Sequence, residues 1–436
     1  YNSNGEGLPF FQGKADFQEK HPRVRMWCTS EKRKEAYPGD ILISVRAPVG
    51  AVNICDQKSI IGRGLAAIRP SRTLDGEFLF YYLKANEERI DSLGTGSTFK
   101  AITQATLKKI SIPLPPLDDQ KRIAYLLGKV ENLIVRRKQH LKQLDDLLKS
   151  VFLDMFGPQA HGYADWPLVE IKDLAANHKR ALRTGPFGSN LLHSEFTTEG
   201  DVAVLGIDNA VQNRFVWGEQ RFITHEKYKQ LENYRIFPED VIITIMGTIG
   251  RSAVVPDDIP LAVNTKHLAA ITLNKKLANP WFISYSVHSS PFILNQFKSK
   301  NRGAIMSGLN LGIIKGTQLK RPPIDLQNKF ADTHAKVDKL KNFYLKGLTD
   351  LEELYGALSQ HAFKGGLDLS RVPLPESKKT VVDLAQISAA SDRTMKASKS
   401  VIDQLNDFNG KHNAILKALQ APSALAGLDI PALRAA

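Results

Sequence analysis

The chain has 436 residues, enough to bury several cores, and its 42% hydrophobic and 24% charged residues are those of an ordinary soluble globular protein. No apolar run approaches the roughly 20 residues of a membrane helix, no signal segment is visible, and Cys28 and Cys55 are too few for a disulfide framework or a four-ligand zinc site, which suits a reducing cytoplasm. The net charge of +14 is spread over the folded-looking segments rather than gathered in a tail, and it leans towards a polyanionic partner, nucleic acid first.

The chain opens on Tyr1 in mid-pattern, and short Val- and Ile-rich runs broken by Gly and Pro follow, of which 40–45 and 64–68 read as strands. This texture ends at Pro115-Pro116. A helix comes next, with apolar residues at Ile123, Leu127, Val130, Ile134, Leu141, Leu144, Leu148, Val151 and Met155. The spacing alternates between three and four, as in a heptad seam, and Arg137 fills the one polar position, either fixing register or reaching out to solvent. Gly157-Pro158 breaks the helix, and Trp166-Pro167-Leu168-Val169 opens a second globular segment with strands expected at 241–246 and 268–273. After Pro322-Pro323 a second helix runs in heptad phase with the first, its seam passing through Val337, Tyr344, Leu348, Leu351, Tyr355 and Leu358. The tail from Thr380 has helical spacing at Leu384, Met395, Ile402, Leu405, Leu416 and Leu419, with Gly410 as a break. It is expected to dock on the long helices or on a partner, or to become helical only on binding.

These elements are two copies of one unit. Tyr37-Pro38-Gly39-Asp40-Ile41-Leu42-Ile43 returns as Phe237-Pro238-Glu239-Asp240-Val241-Ile242-Ile243, and Pro115-Pro116-Leu117-Asp118 with Gln120 returns as Pro322-Pro323-Ile324-Asp325 with Gln327, a period of roughly 200 residues. The expected fold is α+β: two globular domains of mixed strands and short helices, separated by two long helices that form an antiparallel coiled coil, with a C-terminal helical extension. The expected boundaries are 1–120 for the first domain, 121–156 for its helix, 157–165 for a linker, 166–328 for the second domain, 329–364 for its helix and 365–436 for the extension. The copies align as though the first lacks an opening strand and turn of about 34 residues. A helix of some 34 residues is about 50 Å long, comparable to ~13–15 base pairs of B-DNA, so the pair would act as a ruler between two unlike readers of an asymmetric, two-part site.

The chain resembles the specificity subunit of a type I restriction-modification system. The resemblance rests on the join Ile112-Pro113-Leu114-Pro115-Pro116-Leu117 with Gln120-Lys121-Arg122-Ile123, on Gly7 to Lys14, Ile43 to Gly50 and Gly94 to Lys100 in the first copy, and on Thr184-Gly185-Pro186-Phe187-Gly188-Ser189 in the second. The second join, Lys320-Arg321-Pro322-Pro323-Ile324-Asp325-Leu326-Gln327, departs from the pattern, and the tail after Phe363 is longer than the family's. The resemblance implies two target-recognition domains on double-stranded DNA, two methyltransferase subunits as partners, and motor-nuclease subunits in the full complex. It implies no cofactor in this chain, with S-adenosylmethionine, ATP and Mg used by the partners.

The residues themselves point away from catalysis. The proline pairs lack the Asn or Asp of a base-gripping methyltransferase motif, no phosphate-binding Walker loop occurs, and His178, His193 and His267 lack metal-ligand spacing. Lys and Arg would supply affinity through phosphates, and polar side chains on Gly-punctuated loops would reach base edges. The candidates are Lys14, Arg46, Arg63, Ser97, Thr98 and Lys100 in the first domain. In the second they are Arg180, Arg183, Ser189, Asn190, Arg251, Lys266, Arg302 and Ser307. Two other readings stay open: the recognition part of a fused methyltransferase or endonuclease, and a coiled-coil scaffold with no DNA role.

Overall fold

The computed structural model describes residues 1–30, 33–96, 100–300 and 308–375. Two compact units emerge, the first discontinuous in sequence: Tyr1–His140 with residues 344–375, and Leu141–Phe343. Each unit therefore owns one globular domain and part of each long helix.

The strands of the first unit are β1 (Leu8–Phe11), β2 (Met26–Cys28), β3 (Lys34–Ala36), β4 (Ile41–Ser44), β5 (Val52–Ile54), β6 (Ser59–Ile61) and β7 (Leu65–Ile68). They form a four-stranded sheet ordered β2-β1-β6-β3, in which β1 and β6 run parallel, and a three-stranded sheet ordered β5-β4-β7. Ile41, Leu42 and Ile43 are all fully buried because β4 is covered on both faces. Ile41 and Ile43 meet Phe78, Leu79 and Tyr81 of helix α1 (Gly76–Ala85), whereas Leu42 turns to Phe11, Ala36 and Leu65. A continuous apolar run is what such a strand requires. Helices α2 (Glu87–Ser92) and α3 (Gln104–Lys108) lead to the first long helix, α4 (Leu117–Phe156).

The second unit repeats this plan. Its strands are β8 (Leu168–Glu170), β9 (Leu182–Thr184), β10 (Val202–Leu205), β11 (Phe222–Ile223), β12 (Arg235–Ile236), β13 (Val241–Thr244), β14 (Ser252–Val254), β15 (Ala262–Asn264), β16 (Leu268–Ile271) and β17 (Gln318–Lys320). The sheet β11-β10-β15-β12, with β10 parallel to β15, matches β2-β1-β6-β3, and β14-β13-β16 matches β5-β4-β7. Two strands are additional: β9 joins the free edge of β16, and β8 pairs with β17. In the first unit residues 111–113, which precede the proline pair as β17 does, form no strand; among the described residues they have no counterpart of β8 to pair with. Helices α5 (His225–Leu231), α6 (Pro280–Ser289), α7 (Pro291–Lys300) and α8 (Leu311–Lys315) precede the second long helix, α9 (Ile324–Phe363).

The repeated motifs are structural. Asp40 caps its turn by accepting from the Tyr37 N–H at 2.9 Å and takes a bidentate pair from Arg69, both bonds 2.8 Å. Asp240 accepts from the Phe237 N–H at 2.8 Å and from Thr272 Oγ1 at 2.5 Å, and its guanidinium partner is Arg183 of β9. Burial raises the Asp40 carboxyl, but the hydrogen bonds and charge of exposed Arg69 outweigh it and hold it below the usual range. At interior Asp240 burial wins and pushes the carboxyl up. The glutamine after each proline pair ties the long helix to its domain. Gln120 Oε1 accepts from the Asp75 N–H at 2.8 Å while Nε2 donates to the Thr73 and Pro115 carbonyls. Gln327 repeats the set on the Asn279 N–H, Leu277 and Pro322.

Helices α4 and α9 span 40 residues each and begin at Leu117 and Ile324, ahead of the expected 121 and 329. The Pro116 carbonyl takes the N–H groups of Asp119 and Gln120, and Asp118 and Asp119 lie at the positive end of the helix. The two helices pack together, antiparallel. In the first unit Tyr355, Leu358 and Ala362 of α9 join the core around Ile123 and Leu127 of α4, and Lys138 pairs with Glu352 at 2.9 Å. In the second, Phe152 and Phe156 of α4 pack on Phe330 of α9 and Phe282 of α6, and Lys341 pairs with Asp145 at 2.6 Å. Of the seam positions, Ile123, Leu127, Val130, Leu148 and Val337 are buried, and Ile134, Leu141, Leu144, Tyr344, Leu348, Leu351, Tyr355 and Leu358 are half-buried. The Arg137 guanidinium lies 4.5 Å over the Tyr344 ring. Beyond α9 the chain turns back on the first unit, where Arg122 Nε donates to the Val372 carbonyl at 3.1 Å. The helical positions expected from Leu384 to Leu419 lie outside the described residues.

Candidate nucleic-acid interface

Parallel neighbours end side by side, so the turns after β1 and β6 meet, as do those after β10 and β15. In the first domain Gly64 lies so close to the Gln12 carbonyl that a Cβ would collide with it, and the Val45 N–H donates to the Gly64 carbonyl at 2.9 Å. The Ala47 N–H in turn donates to Lys100 at 2.9 Å. These backbone contacts gather Lys14, Arg46, Arg63 and Lys100 at one end of the sheets. Both lysines are held by acids of α2, Lys14 by Glu87 at 3.1 Å and Lys100 by Asp91. Arg46 and Arg63 are exposed, and among the described residues neither takes part in an ion pair. Ser97 and Thr98 lie outside the described residues.

In the second domain the Thr265 N–H donates to Leu205 at 2.9 Å, and Gly185 sits where a Cβ would strike the Asn264 carbonyl. The Ile245 N–H donates to His267 at 2.9 Å. Exposed Ser189 and Asn190, on the one-turn helix Gly188–Asn190, are thereby brought near Lys266 and the turn that leads into Arg251. Gly188 has φ +66, a conformation that favours glycine. A cleft of about 780 Å³ opens here, with Leu191, Leu192, Phe196 and Ile207 as its apolar wall and Asp208, Arg221, Lys266 and His267 as its polar one. Burial, then the charge of Lys266, holds the His267 imidazolium below the usual range. Phe187 and Met246, 54% and 38% exposed, stand on the same loops.

Two of the expected residues are elsewhere. Arg183 is an interior residue: its side chain is 4% exposed and spends its donors on Asp240, Thr272 Oγ1 and the Arg180 and Arg235 carbonyls. The sequence could not show this, because its partner lies 57 positions away. Arg180 precedes β9 while Ser189 and Asn190 follow it, so Arg180 falls at the opposite end of that strand, its guanidinium 5.9 Å over Tyr234. Arg302 and Ser307 lie outside the described residues. Sequence reasoning passed over Arg25 and Arg221, each paired with an aspartate across a turn, since neither stands in a glycine-rich motif. Among the described residues no group of three or more His, Cys, Asp or Glu could hold a metal ion, and no helix is long and apolar enough to cross a membrane. Cys28 and Cys55 are buried free thiols.

The family model of the type I restriction modification DNA specificity domain matches the chain twice, over residues 6–145 and 163–352. Over 152 residues the chain is 45% identical to the putative type I restriction enzyme MjaX specificity subunit of Methanocaldococcus jannaschii, covering 35% of this chain and 36% of that protein. A second relative from that organism, the MjaIX specificity subunit, is matched over 27% of its length at 31% identity, covering 27% of this chain. A longer match, 22% identical, covers 76% of this chain and 74% of the EcoBI specificity subunit of Escherichia coli. The fold is that of the crystal structure of the type I restriction-modification S subunit from M. genitalium, with a TM-score of 0.52 at 18% identity over 83% of this chain and 90% of that one.

Proposed function

The chain belongs to the type I restriction-modification DNA specificity family, and we propose that, as a specificity subunit, it selects an asymmetric, two-part DNA target, each domain reading one half. One observation carries the asymmetry. The two domains share their sheets, their glutamine ties and their long helices, yet the loops at the ends of their parallel strands present different side chains. In this reading Arg46 and Arg63 meet DNA in the first domain and Ser189, Asn190 and Lys266 in the second, supported by the exposure of Arg46, Arg63, Ser189 and Asn190. Equal scaffolds with unequal loops give two half-sites of unlike sequence.

In this reading basic side chains hold phosphates and polar ones on the same loops meet base edges. The paired helices, 40 residues each and thus about 60 Å long, set the spacer of unread bases. The chemistry belongs to partners in the cytoplasm: two methyltransferase subunits using S-adenosylmethionine, and motor-nuclease subunits using ATP and Mg. This chain binds and positions. The test is a genome-wide map of methylated adenines in cells with and without the gene. Loss of one bipartite motif is expected; an unaltered map rejects the proposal. Failure of the purified chain to shift double-stranded DNA at low salt would point instead to a scaffold.

A further inference from the structure

Each domain clamps an arginine with an aspartate at the carboxyl end of its parallel strand pair. In the first, the one-turn helix Lys14–Asp16 follows β1, and Asp16 Oδ1 accepts from Arg25 Nε at 2.9 Å and Nη2 at 2.5 Å, Arg25 standing at the start of β2. In the second, the one-turn helix Ile207–Asn209 follows β10, and Asp208 Oδ1 accepts from Arg221 Nη2, Arg221 standing at the start of β11. The strands involved hold corresponding places in the two sheets. The aspartates are themselves fixed by backbone. Asp16 Oδ2 accepts from the N–H groups of Gln12 at 2.7 Å and Gly13 at 3.3 Å, and Asp208 Oδ2 accepts from the Glu219 N–H at 3.0 Å.

Space is reserved for the second pair. A Cβ on Gly206 would stand 2.6 Å from Arg221 Nη2, and one on Gly218 would collide with the Asp208 carboxylate. Gly206 has φ −122, open to any residue, so glycine there makes room for the guanidinium rather than serving the backbone. Arg221 lines the cleft beside Lys266 with its side chain 16% exposed; its Nε is buried with no acceptor, and its Nη1 lies 3.8 Å from the Glu219 carboxylate. The Arg25 side chain is 51% exposed.

A guanidinium fixed by a carboxylate on one side presents the outward N–H groups of Nη1 and Nη2 as a rigid fork. The base edge that matches two parallel donors is the O6 and N7 of guanine in the major groove. Pairing also offsets the positive charge, which weakens indiscriminate attraction to phosphate and leaves directional bonding as the main interaction.

We propose that Arg25 and Arg221 are the guanine-reading side chains of the two domains, one for each half of the target, with Asp16 and Asp208 as positioning residues. The assignment rests on the DNA-reading function proposed above. The test co-expresses the full chain with its methyltransferase partner in a host free of adenine methylation and maps the modified motif for Arg25→Ala, Arg25→Lys, Arg221→Ala and Arg221→Lys. The Arg25 variants relax one G·C position in one half of the motif, and the Arg221 variants relax one in the other half. Truncation of a paired arginine can unfold its domain, so the lysine variants decide: they keep the charge and lose the fork. At each relaxed position, 7-deazaguanine, which lacks the N7 acceptor, lowers binding of the unaltered chain about 10-fold and leaves the alanine variant unaffected. Asp208→Asn weakens discrimination at the Arg221 position and, with the guanidinium's charge no longer offset by that carboxylate, steepens the salt dependence. The assignment is overturned if the lysine variants methylate the original motif unaltered, or if both arginines affect the same half. An unaltered chain that yields no two-part motif defeats the DNA-reading function itself, a result distinct from a motif that survives the substitutions.

Discussion

Gln120 and Gln327 illustrate how a short motif is a tertiary device. Each amide sits in the interior and joins three backbone groups, so no neighbouring water can replace it. Gln120→Leu leaves those groups unpaired and is expected to cost about 2–3 kcal/mol, read as a lower urea midpoint at unchanged m-value. Arg183 makes the opposite point. It was legible as a basic residue beside a glycine-rich loop, and its burial against Asp240 was not. Arg183→Ala strands an interior carboxylate and is expected to destabilise the second domain by about 3–5 kcal/mol. Once the variant is assayed below its melting temperature, the slope of log affinity against log salt should match that of the unaltered chain, which a lost phosphate contact would reduce. Residue types and loop context were readable; that the donors of Arg183 were already spent was not, because its ion pair joins residues 57 positions apart.

At the scale of elements, the heptad spacing of α4 and α9 follows from local periodicity, and the helices form where it places them. Their starts were misjudged by a few residues because the proline pairs, which look like breaks, supply the carbonyls that open each helix. Packing of α9 against α6 sets up a pH response. The rings of His288 and His334, half-buried residues, pack among Tyr285, Phe330 and Trp281, and loss of solvent around them first of all pushes His288 down to about 3 and His334 down to about 4. Both are bases whose folded value lies below the unfolded one of about 6.5, so the unfolded chain binds more protons between those limits. The second domain is at full stability above pH 6.5 and loses up to about 1.4 kcal/mol per pH unit for each histidine as acid approaches pH 4. His334→Phe should reduce that slope, measured as melting temperature against pH for the second transition.

For the molecule as a whole, the charge of +14 signalled a polyanion without saying where it binds. In the structure Lys14 and Arg63 follow the parallel strands β1 and β6 and Lys266 follows β15, whereas Arg180 and Arg183 stand elsewhere. Replacing Arg46 or Lys266 by Ala is expected to lower affinity across all sequences and reduce the salt slope by about 1 each, measured by binding at several salt concentrations. Equal slopes for variants and parent would remove those residues from the phosphate track. By itself the sequence determined the duplication and the two long helices with their phase, because each is written in local periodicity or in repeated strings. Only the tertiary structure decided that each compact unit takes part of both helices, that Arg183 is interior, and that Asp16 with Arg25 and Asp208 with Arg221 stand at equivalent points. Those facts depend on which strand ends lie side by side, and that is fixed by pairing between segments distant in the chain.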